Sequence, residues 1–182
     1  FRGFPDTVPG ASWKAEIISA AGIVVKSFAG RGLPGPSLSW DGRNNAGVIV
    51  NDGDYTATAA VYIDNEQAWA GKRLLVLDNK PPVFEQAIYP KLFAPHEKSR
   101  VKAMEIKAVT EHRDVDSWEL NIANSEGRVV RRYSGTGHAP RVLWEGDDAL
   151  GNRVTDGKYR ASMMMRDLAG NEFSISEEFT VD

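Results

Sequence analysis

The chain has 182 residues, a formal net charge of −3 and no cysteine. This length suits one large domain or two small ones, and either size buries a core without covalent staples. The slightly acidic balance gives no reason to expect nucleic-acid or acidic-membrane partners, which usually require a strongly basic face. The absence of cysteine excludes disulfides, thiolate nucleophiles and cysteine-bound zinc or iron–sulfur centres.

The chain contains no long apolar run. The longest candidate, residues 22–28, is interrupted by Lys26 and falls far short of the ~18 residues of a membrane span. Direct membrane insertion is therefore not expected. The chain starts at Phe1 rather than Met and has no basic and apolar leader. We expect a processed protein or a piece of a longer one.

Two segments of the chain nearly repeat each other: LSWDGRNNAGVIVNDGDY at 38–55 and VLWEGDDALGNRVTDGKY at 142–159. The repetition extends upstream at an offset of 105 residues, which becomes 104 from the second tryptophan of each copy onward. The matches include Trp13/Trp118, Ile17/Ile122, Gly22/Gly127, Gly30/Gly135, Trp40/Trp144, Gly47/Gly151 and Tyr55/Tyr159. The chain is therefore a tandem duplication of one unit.

Each copy is predicted to consist of short strands separated by Gly, Asn and Asp. WKAEII and IVVKSF flank a turn with Gly22, and WELNIA and RVVRRY flank a turn with Gly127. Residues 55–63 and 159–166 alternate side chains with a period of two, which indicates strands rather than helices. The predicted fold class is all-β, with two tandem immunoglobulin/fibronectin-III-like β-sandwich domains.

Prolines separate the copies. They restrict φ and remove backbone donors, which favours an extended segment outside the centre of a sheet. The four prolines are Pro81, Pro82, Pro90 and Pro95. The predicted divisions are a first domain at 1–80, a proline-rich linker at 81–99 and a second domain at 100–182.

The two copies differ at their starts. In the second copy, residues 100–109 are predicted to form the first full strand, with Val101, Ala103 or Met104, Ile106 and Ala108 as candidates for its buried face. The first copy has only residues 1–12 before Trp13 and no comparable strand there. Its opening strand is therefore expected to be missing or displaced.

The loop of the first copy is also a candidate calcium loop, since calcium is bound by six to eight oxygens. The candidate ligands are Asp41, Asn45 and Asp52. The second copy has Glu145, Ala149 and Asp156 at these positions. One ligand is lost while the glycines are kept, so the pattern favours turns of a β-domain, and no metal or cofactor site is predicted.

The repeated residues are predicted to be structural. Trp40 and Trp144 are expected inside the sandwich, where burial of about 200 Å² at roughly 25 cal/mol per Å² stabilises by at most about 5 kcal/mol before entropy. Asp-Gly-x-Tyr resembles a tyrosine corner, in which the phenol bonds to backbone upstream. The structural signature comprises Trp13, Trp40, Gly42, Asp52, Gly53, Tyr55, Trp118, Trp144, Gly146, Asp156, Gly157 and Tyr159.

No residues are predicted to be catalytic. The histidines His96, His112 and His138 do not recur between the copies, and the chain has no G-x-S-x-G elbow. Adjacent carboxylates such as Glu177 and Glu178 would point to opposite faces of a strand. Solvated surface charge explains them better than an acid–base pair.

Two features of the second copy make a candidate partner surface. Four arginines surround one hairpin and form a basic patch for an acidic partner or polymer, although such a cluster also suits a solvated face paired with nearby acids. Met164 is expected on the face opposite the core, where an exposed methionine marks a contact surface. The arginines are Arg128, Arg131, Arg132 and Arg141.

The combined pattern resembles the immunoglobulin-like repeat named for the bacterial flagellar hook-capping protein, FlgD. The residues that carry the resemblance are Trp118, Ile122, Gly127, Val129, Val130, Trp144, Gly146, Gly151, Asp156, Gly157, Tyr159, Asp167, Gly170 and Asn171. The first copy departs from it at its end, with DNEQAW in place of DLAGNEF, and the second has Glu145 in place of Asp. These departures affect turns rather than a site.

The resemblance implies an extracytoplasmic bacterial protein of the periplasm or cell surface. We expect a non-enzymatic spacer that positions a neighbouring domain, such as a peptidoglycan-binding one. One alternative is a protein- or glycan-binding adhesion module with an exposed aromatic row that includes Tyr62 and Trp69. Another is an accessory domain of an exported hydrolase. The expected partners are a protein or cell-wall polymer and other domains of the same longer chain.

Overall fold

The computed structural model describes residues 8–35, 37–96, 99–138 and 140–182. These residues form twelve β-strands and no helix, so the predicted all-β fold class is confirmed. Accordingly, none of them belongs to a helix that could span a membrane. The chain divides into two compact units, which we call unit 1 and unit 2, at residues 1–79 and 80–182.

The described part of unit 1 is one antiparallel sheet. Its strands are β1 (Ala11–Ser19), β2 (Val24–Arg31), β3 (Gly53–Ile63) and β4 (Glu66–Leu77). They lie in the order β2-β1-β3-β4. The period of two on β3 places Tyr55 and Val61 on one face, where both are buried. Trp13 shares that face, because it lies between Gly30 of β2 and Val61 of β3.

Strand β1 begins at Ala11, and the stretch predicted to lack an opening strand lies partly in residues 1–7, outside the described residues. Between Gly32 and Asp52 the described backbone forms turns and one isolated bridge, Arg43 to Ile49. The structure therefore gives unit 1 a single sheet in its described part, where two sheets were predicted for each domain.

Unit 2 has two sheets. Its strands are β5 (Glu85–Tyr89), β6 (Leu92–Phe93), β7 (Met104–Val109), β8 (Val115–Asn124), β9 (Val129–Thr136), β10 (Arg141–Trp144), β11 (Gly157–Asp167) and β12 (Glu172–Val181). The three-stranded sheet has the order β10-β7-β5, and the five-stranded sheet has the order β6-β12-β11-β8-β9. All neighbouring strands are antiparallel except β6, which runs parallel to β12.

The core of unit 2 lies between these sheets. Met104 and Ile106 of β7 are 0% exposed, and so are Leu120 and Met163 of the five-stranded sheet. Apolar residues of both sheets belong to one buried cluster, as in a β-sandwich. The predicted first strand of the second copy is therefore β7, which is shorter than the expected span of 100–109.

The predicted linker at 81–99 requires a correction. It contains β5 and β6, which pair with β7 and β12 of unit 2. Pro82 is fully buried, as is Phe93. Because β5 is an edge strand and the prolines lie outside the strands, they do not interrupt the sheet ladder. Most of the predicted linker is therefore part of the second sandwich.

Candidate functional site

The repeated tryptophans fix the start of the loop in both units. The Trp40 indole nitrogen donates to the carbonyl of Arg43 at 2.8 Å, and the Trp144 nitrogen donates to the carbonyl of Asp147 at 2.8 Å. Both bonds span three residues, so each ring holds the turn that follows it. The polar atom of each tryptophan is satisfied within its own loop.

The turn is held by the side chain at one equivalent position, which is the amide Asn44 in the first copy and the carboxylate Asp148 in the second. Asn44 Oδ1 accepts the backbone N–H groups of Ala46 and Val48 at 2.9 and 3.0 Å. Asp148 Oδ1 accepts those of Leu150 and Asn152 at 2.8 and 2.9 Å. A side chain that bonds the backbone two and four residues on stabilises a tight turn.

The turn also requires glycine. Gly47 and Gly151 have φ of 79° and 83°, in the left-handed region that glycine enters without steric cost. The N–H of each glycine donates to the carbonyl of Asn44 or Asp148 at 3.0 and 3.1 Å. This accounts for the glycine shared by both copies.

The candidate calcium ligands are engaged by protein donors. Asp41 Oδ1 accepts the N–H of Arg43 at 3.1 Å, and Asn45 Oδ1 accepts that of Ser27 at 3.1 Å. Asp52 Oδ1 accepts the backbone and side-chain N–H groups of Asn79 at 2.9 and 2.8 Å. These oxygens have a structural use that explains their presence.

Each unit also contains the geometry of a tyrosine corner. The Tyr55 hydroxyl donates to the carbonyl of Asn51 at 2.6 Å. The Tyr159 hydroxyl donates to the carbonyl of Thr155 at 2.7 Å. Both bonds span four residues and tie the start of the long strand to the loop before it.

Sequence reasoning missed the role of a second glycine pair. A Cβ atom on Gly30 would lie 2.6 Å from the Trp13 indole nitrogen, and one on Gly135 would lie 2.6 Å from Trp118 Cζ2. Each tryptophan therefore lies flat over a glycine of the neighbouring strand. The signal was present in the sequence, since both pairs recur at the offset of 105 residues.

The prediction that both loop tryptophans are buried is correct for Trp144 only. Trp144 is 0% exposed and packs against Phe93, Tyr159 and Phe179 with ring centroids 5.5 to 6.1 Å apart. Trp40 is half-exposed, although its ring lies 5.3 Å from that of Tyr55. The physical reason is that the described part of unit 1 has no second sheet to cover Trp40.

Arg131 lies within the turn network rather than on a free basic surface. Its guanidinium contacts Asp147 at 3.1 Å and donates to the carbonyl of Asp148 at 2.7 Å. It also lies over the Tyr133 ring, 5.3 Å from the centroid. Lys26 occupies the equivalent position in unit 1 and donates to the carbonyl of Asn44 at 3.4 Å. Arg131 is thus part of the repeated scaffold.

Carboxylates accompany the other arginines of the candidate surface. Arg132 lies 3.7 Å from Glu119. The pKa of the Asp148 carboxyl is lowered mainly by the backbone N–H of Asn152, and the positive charge of Arg128 lowers it further. Arg141 contacts Glu105 at 2.6 Å, and this hydrogen bond lowers the pKa of the Glu105 carboxyl. Arg141 belongs to the three-stranded sheet, whereas Arg132 lies on β9 of the other sheet. The charge of the cluster is therefore largely compensated locally.

Met164 lies on the face of β11 opposite the core, between Met163 and Met165, which are both 0% exposed. It is half-buried, and its cross-strand partners are Glu119 and Ser174. The surrounding face is therefore polar, and Met164 does not extend into a wider apolar patch with these partners.

A groove of about 620 Å³ lies on the face of the unit 1 sheet that carries Tyr55 and Val61, which we call the inner face. Its apolar lining includes Ile17, Phe28, Trp40, Ala59, Trp69 and Leu75. We call it the unit 1 groove. It follows the face on which Val61 and Trp69 are paired across β3 and β4.

The aromatic row expected for a glycan-binding module is not formed by Tyr62 and Trp69. Trp69 lines the unit 1 groove. Tyr62 lines a depression with Lys14 and Glu16 on the other side of the sheet, because it follows Val61 on the strand and points to the opposite face. The two rings therefore serve different surfaces.

The three histidines are exposed and lie in separate loops. His96 follows β6, His112 lies between β7 and β8, and His138 follows β9. His112 Nδ1 lies 3.5 Å from Asp114.

The closing motif contains Asp167 and Asn171, which are hydrogen-bonded to each other. The backbone N–H of Asn171 donates to Asp167 Oδ1 at 2.8 Å and holds the turn between β11 and β12.

These observations define the class of the protein: a tandem repeat of all-β units with the turn chemistry of immunoglobulin-like domains. No family model matches the chain, and no curated protein sequence matches it. Similar solved structures exist at 15 to 21% identity, where the likeness concerns the fold alone.

Three of these structures span different shares of the chain. One is PorZ, a surface component of the type-IX secretion system of Porphyromonas gingivalis, at 21% identity over 53% of this chain and 11% of that one, TM-score 0.36. Another is a tetra-tandem repeat in the extending region of a large adhesion protein. It is 17% identical over 97% of this chain and 43% of that one, with a TM-score of 0.42. A third is dimeric latent PorU from Porphyromonas gingivalis, which is 15% identical over 91% of this chain and 14% of that one, with a TM-score of 0.44. The chain thus spans less than half the length of each.

Proposed function

We propose that the chain is a non-catalytic structural module of an extracytoplasmic bacterial envelope or surface protein. In this proposal the two units act as a spacer that positions a neighbouring domain of the same polypeptide. One observation supports it above the others: the same polar side chains of both copies bond to the backbone of their own loops. Trp40 and Trp144 and Tyr55 and Tyr159 all do so. Groups engaged in this way maintain shape.

The sequence resemblance to FlgD-type repeats adds the cellular setting to this proposal. Such repeats imply an exported bacterial protein, and a peptidoglycan-binding domain is the neighbour we propose. Fold alone does not transmit activity, so the proposal depends on the repeated turn chemistry rather than on architecture.

The spacer role is testable by replacement in the gene that encodes the chain. An unrelated pair of β-sandwich domains of similar length should preserve cell-wall attachment by the neighbouring domain, because a spacer contributes length and stiffness. A Gly/Ser linker of the same residue number should impair it, since such linkers behave as flexible coils. If the unrelated sandwich pair failed as completely as deletion, a specific surface of this chain would be required and the spacer proposal would be wrong.

A second candidate is a glycan-binding module, favoured by Trp69, which is 37% exposed in the unit 1 groove. Co-sedimentation of the purified chain with peptidoglycan sacculi separates the two candidates. The spacer proposal expects no saturable binding by these two units. Saturable binding that Trp69→Ala abolishes and Tyr62→Ala leaves unchanged would favour the glycan-binding function instead.

A further inference from the structure

Among the described residues, the inner face of unit 1 is open where the same face of unit 2 is covered. Ala57 and Ala59 of β3 are half-exposed, whereas their counterparts Ala161 and Met163 are 0% exposed. The strand order is the same, since β2-β1-β3-β4 corresponds to β9-β8-β11-β12. The difference is therefore one of covering and not of sheet architecture.

In unit 2 most of the covering layer is supplied by the described residues within 82–109, a stretch that we call the cover segment. It contains β5, β6 and β7 and contributes Met104 and Ile106 to the core. Gln86 of the cover segment donates to the carbonyl of Ala161 at 3.1 Å. The cover segment comes directly before β8, the counterpart of β1.

Unit 1 also has an unpaired counterpart of β10. Strand β10, Arg141–Trp144, pairs with β7 of the cover segment. The equivalent residues 37–40 form no strand with any described residue, and Leu38 is 47% exposed. Leu38, Ser39 and Trp40 border the unit 1 groove, so a backbone segment without strand partners and an apolar face lie side by side.

We propose that the unit 1 groove is a strand-accepting site. Its occupant is a polypeptide segment of the cover-segment type, attached to the N-terminal side of β1, which pairs with residues 37–40 and buries the apolar face. The position follows from unit 2, where the cover segment directly precedes the equivalent strand. Main-chain pairing gives such a site its affinity, and pockets for alternate side chains give its specificity.

The lining of the groove specifies the size of the occupant's side chains. Inner positions that are smaller in unit 1 than in unit 2 include Ala15 for Leu120, Ala59 for Met163, Gly71 for Ile175 and Leu75 for Phe179, whereas Trp69 is larger than its counterpart Phe173. A close-packed interior needs the lost volume to be replaced. The occupant therefore carries bulkier apolar residues than Met104, Ile106 and Ala108 at alternate positions.

Charge specifies one further position of the occupant. Glu177 in unit 2 contacts Lys91 of the cover segment at 2.5 Å. The residue at the equivalent position of unit 1 is Arg73, which lines the groove and has no acidic partner among the described residues. The charge is reversed, so the occupant carries an acid where the cover segment carries Lys91.

The test uses the full chain with an added occupant. A copy of residues 82–109 that carries Met104→Phe, Ala108→Leu and Lys91→Glu, the side chains that the groove calls for, replaces residues 1–4 and is joined to residue 5, which keeps the repeat offset of 105 residues. Amide hydrogen exchange at residues 37–40 should slow by roughly tenfold or more, since strand pairing protects backbone N–H groups. The matched control carries Ile106→Asp in the added copy and should give no protection. Exchange in unit 2 serves as the internal reference for folding.

A charge-reversal cycle tests the register of the added segment. With Lys91→Glu in the added copy, the melting temperature of unit 1 should rise relative to the Lys91 copy. With Arg73→Glu in the chain, the copy that keeps Lys91 should instead give the higher melting temperature of unit 1. An inverted preference shows that the segment lies in the proposed register, whereas equal melting temperatures in all four combinations would overturn the proposal.

Two other results would also overturn the proposal. One is unchanged exchange at residues 37–40 in the fusion while unit 2 stays protected. The other is a dimer of the unmodified chain in sedimentation analysis that Leu38→Asp converts to a monomer, because the groove would then be an interface between two copies.

Discussion

Units 1 and 2 share their turns but differ in how completely their sheets are covered. The hydrogen bonds of Trp40 and Tyr55 reproduce those of Trp144 and Tyr159, yet Trp144 is fully buried and Trp40 is half-exposed. The loop geometry therefore forms with or without a second sheet above it. Local sequence determines the turn, and a tertiary partner determines the burial.

The largest expected difference between the units concerns these two tryptophans. Trp144→Ala should lower the free energy of unfolding of unit 2 by about 3–5 kcal/mol, because it leaves a cavity among packed rings. Trp40→Ala should lower the free energy of unfolding of unit 1 by less than about 2 kcal/mol, because less of the Trp40 side chain is buried in the native state. Calorimetry of the full chain, with each transition assigned by hydrogen exchange, measures both changes. Equal losses in the two units would contradict the difference in burial.

The glycines beneath Trp13 and Trp118 should behave alike, because that packing occurs within one sheet. Gly30→Ala and Gly135→Ala each force the tryptophan to move and should cost about 1–3 kcal/mol. Urea unfolding followed by tryptophan fluorescence measures the loss. Ser134→Ala, at the exposed neighbour of Gly135, is the control and should change stability by less than about 0.5 kcal/mol. A large loss in only one unit would show that the second sheet supports this packing.

The tyrosine corners should also contribute equally. Tyr55→Phe and Tyr159→Phe each remove one hydroxyl bond to a backbone carbonyl and should cost about 0.5–1.5 kcal/mol. Chemical denaturation of the single variants, compared with Tyr62→Phe on the opposite face of the unit 1 sheet, checks the values. A loss for Tyr62→Phe as large as for the corner variants would contradict the assigned role.

The smallest expected difference is in pH dependence, because the turn uses an amide in unit 1 and a carboxylate in unit 2. Backbone donation from Asn152 lowers the pKa of the Asp148 carboxyl. A depressed pKa in the folded state stabilises the turn above the unfolded pKa, and this contribution is lost as the pH falls through the folded pKa. Asp148→Asn should remove the dependence, as monitored by the amide signal of Leu150 across an acid titration. The equivalent signal of Ala46 should stay constant, and its titration would contradict the assignment.

The sequence predicted the turns and the strands that flank them better than the covering of the sheets. Repetition identifies Gly47, Gly151 and the tyrosine corners because their roles are local and depend on φ or on a bond within four residues. The role of Gly135 required knowledge of which residue on β8 lies opposite it. That register emerges only when the strands pair.

The error over residues 81–99 has a different cause. Proline content correctly indicates that a segment cannot be central in a sheet, but it does not distinguish a linker from an edge. Strand β5 lies at the edge of its sheet, with Ile88 buried. The pairing of the candidate partner surface could not be predicted for a similar reason, since the acids that accompany Arg131 and Arg141 come from other parts of the chain.

The turns held by Asn44 and Asp148 offer labelling positions in a chain that has no cysteine. Ala46 and Leu150 occupy equivalent loop tips, and both turns are held through backbone N–H groups rather than through these side chains. Leu150 is 86% exposed, and Ala46 is also exposed. Cysteines introduced at 46 and 150 would therefore provide one attachment point for a dye on each unit. Energy transfer between the two dyes would report how the units move relative to one another in solution.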